Sequence, residues 1–333
     1  MSSYINTDCR INIIINPSAR SGRGQARLRA QLAAHRQLSA LPCVESRDPE
    51  HFRDLVQAAQ ARAAGLDALA IAGGDGTVTM ALDALSQPGV SQRVPLCLLP
   101  TGSGNDFVND LQGSRELSRA LRILAAGPSA WQVRWVDVGQ AQPAQGPPQS
   151  FCCVASVGLD ELALRRIHGS RFQRSQALNL AAALSGLWQY RPRRVAITWQ
   201  GGSFDGEIMF AAVTNTRSYG GGFRVSPEAR LDDGQLDLCI VPAMAKARLL
   251  WHFPRILRGT HGALPGVILS QSPWVTLRCA DRDGSELPLC IDGELPQHTT
   301  PVRLHCQPRR LLVLEPSSAA IAPATPTPRK EAA

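Results

Sequence analysis

A chain of 333 residues can bury a sizeable core and is long enough for two domains. Its hydrophobic fraction of 44% and charged fraction of 19% are typical of a folded soluble protein, and no apolar run reaches the roughly 18 residues of a membrane-spanning helix. The net charge of +8 comes mostly from arginine and suits nucleic acid or an anionic membrane equally, so charge alone excludes neither partner.

Strands and helices alternate four times in the first part of the chain. Short apolar runs predict strands at residues 11–15, 43–46, 67–72 and 95–99. Each run precedes a segment that reads as a helix, at residues 25–38, 48–64, 78–85 and 115–126. This order predicts a parallel sheet with helices on both faces, and we assign residues 1–138 to such an α/β domain.

Short strands dominate the second part. A loop rich in Pro, Gln and Gly at residues 140–150 separates two segments that predict a hairpin, 134–139 and 151–157. Further strands are predicted at residues 195–200, 206–215, 236–241, 274–279, 287–291, 302–306 and 311–314. This pattern is typical of an antiparallel β-sandwich, which we assign to residues 139–315. The Ala/Pro/Ser/Thr-rich segment 316–333 is predicted to be a disordered tail.

Two apolar helices are predicted among these strands, at residues 176–190 and 249–257. Basic residues accompany both helices, namely Arg165, Arg166, Arg171, Arg174, Arg191, Arg193 and Arg194 for the first and Arg255 and Arg258 for the second. Each helix could lie on a bilayer with its arginines at the headgroups. Each could equally pack over the sandwich and extend its arginines into water.

The cysteines indicate a reducing compartment. The chain has nine cysteines without a CxxC pair, and Cys97, Cys152 and Cys239 lie in apolar, strand-like runs. Reduced core thiols explain this better than a disulfide framework or a zinc site. The first residues also lack the basic and apolar regions of a signal peptide, so we expect a cytoplasmic protein.

The pentapeptide Gly73-Gly74-Asp75-Gly76-Thr77 follows an apolar run and precedes a predicted helix that includes Val78. Glycines let the main chain approach a phosphate closely, and the start of a helix offers free backbone N–H groups to it. An aspartate in such a loop opposes a phosphate unless a divalent cation lies between them. The alternative is a plain strand-to-helix turn, which the full pentapeptide makes less attractive.

A second small-residue loop follows the next strand, with Gly102, Ser103, Gly104, Asn105 and Asp106 at its tip. In open α/β sheets ligands bind outside the carboxyl ends of the strands, so both loops could contact one ligand. Asn105 and Asp106 could instead be an ordinary helix cap.

Together these loops resemble the diacylglycerol kinase catalytic domain family, which includes bacterial lipid kinases, sphingosine kinases and ceramide kinases. Other matching segments follow in family order from about residue 10 to residue 315, namely Asn16-Pro17, Gly221-Gly222 leading to Pro227, Asp232 to Asp237, and Asp292-Gly293-Glu294. The combination carries the resemblance, because the glycine–aspartate loop alone also occurs in NAD kinases and phosphofructokinases.

The resemblance implies an ATP- and Mg²⁺-dependent kinase with a nucleotide site in the first domain. The residues expected to bind the nucleotide are Asn16, Pro17, Ser21, Gly22, Arg23, Ser46, Gly73, Gly74, Asp75, Gly76, Thr77, Val78, Ser103 and Asn105. Two positions depart from the family pattern. Met80 replaces a common glutamate, which puts that contact in doubt, and Ser103 replaces a threonine but keeps the hydroxyl.

The resemblance also implies the catalytic and metal-binding residues. Asp75, Asp106 and Asp137 match a carboxylate network that organises the catalytic Mg²⁺. A structural Mg²⁺ is implied at Asp233, with the backbone carbonyls of Arg230 and Gln235, although the sequence Asp232-Asp233-Gly234 alone predicts only a turn. Glu294 is implied as the acceptor of the lipid hydroxyl's proton, with Asp292 as an essential neighbour.

These inferences predict a lipid kinase at the cytoplasmic face of the inner membrane. Its partners would be ATP and a lipid substrate at an anionic membrane surface, without nucleic acid, and a homodimer is compatible with the sequence. Diacylglycerol, phosphatidylglycerol and a sphingoid base all offer a primary hydroxyl. The alternatives are a kinase of a soluble substrate, like NAD kinase, and a non-catalytic nucleotide or lipid sensor on the same fold.

Overall fold

The computed structural model describes residues 10–18, 22–62, 66–87, 89–169, 186–281 and 285–317. Its first part alternates strands and helices: β1 (Ile11–Ile15), α1 (Arg23–Ala34), β2 (Cys43–Glu45), α2 (Pro49–Ala61), β3 (Ala68–Gly73), α3 (Asp75–Leu85), β4 (Leu96–Pro100), α4 (Asp106–Gln112) and α5 (Leu117–Ala126). Seven of these nine elements have bounds close to those of the predicted strands and helices. The helix α1 ends before residue 38, and α4 is too short for its periodicity to be visible in the sequence.

The four strands form the predicted parallel sheet, in the order β2–β1–β3–β4. Alternate residues of β1 point to opposite faces, as in any strand. Ile14 belongs to the buried cluster that contains Phe52 of α2 and Leu82 of α3. Ile13 belongs to a second cluster with Leu28 of α1. Helices therefore cover both faces, and the predicted α/β architecture is confirmed.

The second part is mainly antiparallel. Its elements are β5 (Trp131–Pro143), β6 (Gln149–Phe151), β7 (Val154–Gly158), α6 (Leu159–Gly169), β8 (Arg193–Trp199), β9 (Gly202–Thr214), β10 (Leu236–Pro242), α7 (Lys246–Arg258), β11 (Ile268–Ser272), β12 (Trp274–Cys279), β13 (Pro288–Ile291), β14 (Glu294–Thr299) and β15 (Val302–Pro316). Strands β14, β13, β7, β9, β8, β12 and β15 lie side by side in that order, and β10 pairs with β9 and β11. Strands β5 and β6 form a hairpin, but most of the segment 151–157, predicted as its second arm, belongs to β7, which pairs with β9 and β13.

The last strand joins the two parts. The predicted strands at residues 302–306 and 311–314 are one strand, β15, whose register against β5 shifts between Gln307 and Leu311. Before this irregularity β15 pairs with β12, and after it Val313 pairs in parallel with Leu96 of β4. Leu314 packs in the cluster that contains β1. The chain thus returns to the first sheet, and β5 runs through the predicted domain boundary at residue 138.

Helix α3 lies between the two parts. The buried cluster that contains its residues Val78 and Leu82 also contains Cys152 and Met209 from the second part. The first turn of α3, next to the glycine loop, is therefore close to the antiparallel strands. This contact determines where a site between the two parts can form.

One helix was not predicted, and two predicted segments lie partly or wholly outside the described residues. Helix α6 is not predicted from the sequence, in which Arg165 and Arg166 read as a basic flank of the next helix. Most of the predicted helix 176–190, with Arg171 and Arg174, lies outside the described residues, as does the tail from residue 318. Among the described residues no helix is both long and apolar enough to cross a bilayer.

Candidate active site

The two small-residue loops are in direct contact. A Cβ added to Gly102 would lie 2.3 Å from the Cα of Gly74, so neither loop could approach the other with a larger residue there. The backbone N–H of Thr101 also donates to the carbonyl of Gly73 at 2.9 Å. The sequence-based expectation that both loops lie at one edge of the sheet is confirmed.

The ends of β1 and α1 complete this edge. The side-chain amide of Asn16 donates to the hydroxyl of Thr77 at 2.9 Å, which brings the β1 turn to the first turn of α3. A Cβ on Gly24 would lie 2.3 Å from the carbonyl oxygen of Thr101, so α1 begins against the second loop. Gly24 was not predicted as a site residue, although it directly follows Gly22 and Arg23, which were. Arg23 is exposed at the start of α1.

Some of the remaining residues predicted to bind the nucleotide are exposed, and others are buried or hydrogen-bonded within the protein. Ser103 is exposed at the tip of the second loop. Asn105 has a positive φ of 56°, and its side chain accepts from the N–H and donates to the carbonyl of Gly102. It therefore braces the loop and does not cap its own helix. Ser46 is buried, and Ser21 lies outside the described residues. Met80 packs against the core.

Asp75 and Asp106 form a carboxylate pair beside Gly104. The carboxylate of Asp75 accepts from the backbone N–H groups of Asp106 (3.1 Å) and Phe107 (3.0 Å), and so caps the start of α4. A Cβ on Gly104 would lie 3.0 Å from Oδ2 of Asp75 and 3.3 Å from Oδ2 of Asp106. Both oxygens thus face the small space that this glycine leaves open.

Burial, and then the neighbouring charge of Asp106, raise the pKa of Asp75 to about 7, against the two N–H donors. A divalent cation between the two carboxylates would relieve both effects, because it replaces the lost hydration and cancels the repulsion. The pair therefore fits the Mg²⁺ that the family resemblance implies.

Asp106 also ties the site to the second part of the chain. Its carboxylate is buried and accepts from Arg115 (2.5 Å), from the Ser218 hydroxyl (2.8 Å) and from the Gly221 N–H (2.7 Å). Ser218 and Gly221 belong to the glycine-rich segment that precedes Pro227. Neither Arg115 nor Ser218 was predicted as a site residue. Their positions relative to Asp106 arise only in the folded chain.

Asp292 is held by four hydrogen bonds at the β13–β14 turn. Its carboxylate accepts from the Thr79 hydroxyl (2.6 Å) and from the backbone N–H groups of Cys152, Cys153 and Val154 (2.8, 2.8 and 2.9 Å). Burial raises its pKa, against these donors. These contacts fix the turn against α3. Asp292 is therefore a positioning residue, and Thr79, which the sequence did not reveal, is part of its support.

Glu294 follows this turn and faces the glycine loop. A Cβ added to Gly76 would lie 3.6 Å from Oε1 of Glu294, while the Glu294 side chain is largely exposed. Gly76 is in the first turn of α3, next to Asp75. Glu294 of the second part of the chain is thus adjacent to the glycine–aspartate loop of the first part.

Asp137 and Asp233 lie together at a different place. The carboxylate of Asp137 accepts from the N–H groups of Gly234 (2.6 Å) and Arg309 (2.8 Å), and its own N–H donates to Leu231. These bonds hold the Asp232–Gln235 turn and the irregularity in β15. The structure thus brings Asp75 and Asp106 together, but the contacts recorded for Asp137 do not reach them. Its place in the catalytic network stays a prediction.

The turn beside Asp137 has carboxylate oxygens of the kind that bind a cation. Asp233 accepts from the N–H of Gln235 at 3.0 Å, and Gln271 donates weakly to both Asp233 (3.5 Å) and Asp237 (3.3 Å). Oδ2 of Asp237 is buried and has no hydrogen-bond partner in the described part of the chain. Burial, Asp233 and Glu228 raise the pKa of Asp237 to about 7. An unsatisfied buried oxygen beside a second carboxylate fits the implied structural Mg²⁺.

Asp83, two turns along α3 from Asp75, provides a test of the electrostatics beside the site. Burial, and then repulsion from Asp292, raise the pKa of Asp83 from 3.8 to about 6. The folded state therefore binds more protons than the unfolded chain between these values, so stability should fall as pH rises from about 4 to 6. Discounted for partial exposure, this contribution is about 1 to 3 kcal/mol.

Asp83→Asn should lack this contribution. We expect the free energy of unfolding of the variant, relative to the parent protein, to increase between pH 4 and pH 7 in denaturant titrations. The exposed Asp54 of α2 offers a matched control, since Asp54→Asn makes the same substitution at a carboxylate in contact with solvent. A constant difference for Asp83→Asn would show that Asp83 is not desolvated in solution.

Comparisons with known proteins agree with this architecture. The diacylglycerol kinase catalytic domain model matches residues 10–141, and the YegS C-terminal NAD kinase beta sandwich-like domain model matches residues 153–315. A diacylglycerol kinase of Mycobacterium tuberculosis is 28% identical over 311 residues, which are 92% of this chain and 95% of that protein. A probable lipid kinase YegS-like of Pseudomonas fluorescens is 30% identical over 246 residues, 71% of this chain and 72% of that protein.

A solved structure shares the fold. The crystal structure of a putative diacylglycerol kinase from Bacillus anthracis str. Sterne superimposes with a TM-score of 0.68 at 19% identity, covering 91% of this chain and 96% of that one. At this identity the likeness shows the two-domain fold alone. With both domain models in order and relatives that align over most of their length, the chain belongs to the diacylglycerol kinase catalytic domain family, in the group that carries a YegS-type C-terminal domain.

Proposed function

We propose that this protein is an ATP- and Mg²⁺-dependent lipid kinase, which transfers the γ-phosphoryl group to a hydroxyl of a membrane lipid such as diacylglycerol. The observation that carries the proposal is the approach of Glu294 to Gly76, beside the Asp75–Asp106 pair. Relatives named diacylglycerol kinase and probable lipid kinase support the same reaction class. We further propose that it acts in the cytoplasm, peripherally at the inner membrane face.

Phosphoryl transfer requires positioning and charge stabilisation more than covalent chemistry. The N–H groups at the glycine loop and the start of α3 would bind the phosphates. Asp75 and Asp106 would hold Mg²⁺, which neutralises phosphate charge when bound. Glu294 would accept the proton of the lipid hydroxyl as that oxygen attacks phosphorus. Asp292 keeps the turn that carries Glu294 in place through its four hydrogen bonds.

An assay with γ-labelled ATP tests this function against its rivals. The purified protein would be incubated with Mg²⁺ and with diacylglycerol, phosphatidylglycerol or a sphingoid base in mixed micelles, and with NAD in a separate reaction. We expect label in the organic phase with at least one lipid. Label in NADP would identify a kinase of a soluble substrate instead. Absence of transfer to every acceptor, with ATP still bound, would favour a sensor.

The structural Mg²⁺ can be tested without activity. If Asp233 binds it, millimolar MgCl₂ should raise the unfolding temperature of the parent protein, because a ligand of the folded state alone stabilises it. Asp233→Asn should weaken the Mg²⁺ affinity read from this shift by about tenfold or more, since it removes a charged ligand.

The neighbouring Asp232 provides the control. Its carboxylate pairs with Arg134 (2.8 Å) and Arg230 (3.6 Å), so Asp232→Asn removes the same charge but no proposed ligand. It should keep the response to Mg²⁺. Equal responses of Asp233→Asn and the parent protein to Mg²⁺ and to EDTA would contradict a metal at this turn.

A further inference from the structure

Helix α7 buries one face and leaves an apolar face in contact with solvent. Leu249 and Ile256 are buried, and Phe253 packs edge-on against Phe223 with ring centres 5.7 Å apart. On the opposite side Ala247, Leu250, Trp251 and Pro254 line a shallow open depression. Their spacing of three and four residues places them on one helix face.

The exposure of this face is unusual for large apolar side chains. Trp251 is 82% exposed and Leu250 is 43% exposed. Trp188, in the segment that precedes β8, is 68% exposed, and the ammonium group of Lys246 donates to its carbonyl at 2.6 Å. The two tryptophans therefore stand on neighbouring segments. We call the surface formed by Trp188, Leu250 and Trp251 the tryptophan face.

The charged side chains of helix α7 all have one sign. Helix α7 carries Lys246, Arg248, Arg255 and Arg258, and the sequence contains no aspartate or glutamate between Asp237 and Asp281. Within the described residues none of these four cations forms an ion pair with a carboxylate. By contrast, Arg193 and Arg194 near Trp188 are paired with Asp281 and Asp205. Helix α7 thus carries cations without a carboxylate partner beside Leu250 and Trp251.

We infer that the tryptophan face docks on an anionic phospholipid membrane. Indole rings are favoured at the interface between headgroups and acyl chains, and basic side chains beside them attract phosphate groups. This inference rests on the proposed function, because a lipid substrate must be reached in its bilayer. A second copy of the chain fits less well, since pairing this face with itself would oppose cations.

Vesicle flotation tests the inference. Wild-type protein should bind vesicles of phosphatidylcholine with phosphatidylglycerol, and bind pure phosphatidylcholine vesicles weakly. Trp251→Ser should lower the affinity for the anionic vesicles about tenfold. Replacing Arg248, Arg255 and Arg258 by Gln should lower it by about fivefold for each cation at low salt and remove most of its salt dependence. The matched control is Trp135→Ser, because Trp135 is an exposed tryptophan on β5.

Three outcomes would overturn the inference. They are wild-type protein that does not float with anionic vesicles, a Trp251→Ser variant that floats like wild type, and a concentration-dependent dimer that Trp251→Ser abolishes. Circular dichroism melts check that each variant is folded. Turnover of a short-chain, water-soluble substrate should stay unchanged in Trp251→Ser. Vesicle binding without phosphorylation of any lipid would leave the docking face standing and reject the proposed kinase activity, so the two failures are distinguishable.

Discussion

Glu294→Gln is expected to lower kcat by about a hundred- to ten-thousandfold. The amide has nearly the size and hydrogen-bonding shape of the carboxylate, but it cannot accept a proton. Glu294 belongs to the second part of the chain, on β14, and approaches Gly76 of the nucleotide loop. ATP affinity should therefore change little. Steady-state kinetics and nucleotide titration on the same variant measure both quantities.

Glu207 provides a control for this variant, because it is an exposed glutamate on β9 of the same part of the chain. Glu207→Gln should have normal kcat. An unchanged kcat in Glu294→Gln would eliminate Glu294 as the proton acceptor. Asp292 would not be an obvious alternative proton acceptor, since its carboxylate already accepts four hydrogen bonds from the protein.

Asp75→Asn is expected to reduce phosphoryl transfer by about a hundredfold or more, comparable with the removal of one electrostatic stabiliser. The reason is the loss of one of two charges that face Gly104 and would hold Mg²⁺. The structure shows a further role, because its carboxylate caps α4. Because asparagine caps a helix about as well as aspartate, Asp75→Asn should keep most of this cap and change stability by less than about 1 kcal/mol.

Asp48 separates the two effects. Its side chain caps α2 by accepting from the N–H of His51 at 2.7 Å, away from the glycine loop. Asp48→Asn makes the same substitution at a cap, so it should change stability equally little and leave kcat and KM unchanged. Comparable activity in Asp75→Asn and Asp48→Asn, measured below the unfolding temperature of both, would remove Asp75 from the catalytic site.

The first domain could be predicted from the sequence because its signals are local. The apolar runs of β1, β3 and β4 and the glycines at their ends determine both the strands and the loop contact between Gly74 and Gly102. The family resemblance added the chemistry, since Glu294 after a turn predicts nothing by itself.

Long-range contacts could not be predicted in this way. The hydrogen bond from Thr79 to Asp292 joins residues 213 positions apart. Ser218 and Gly221 are more than a hundred positions from Asp106, and Gly234 and Arg309 are about a hundred or more from Asp137. No periodicity encodes such pairs, because they depend on how β15 and α3 bring the two parts together. The order of the antiparallel strands was unpredicted for the same reason.

The central claim is that Asp75 from the first part and Glu294 from the second part act in one catalytic site. The most direct test is the activity of the double variant Asp75→Asn/Glu294→Gln with the best lipid substrate, compared with both single variants. Residues that act as a unit show strongly non-additive losses. We predict that the double variant is about as active as the less active of the two single variants. Losses that multiply would contradict one shared site and indicate two independent contributions.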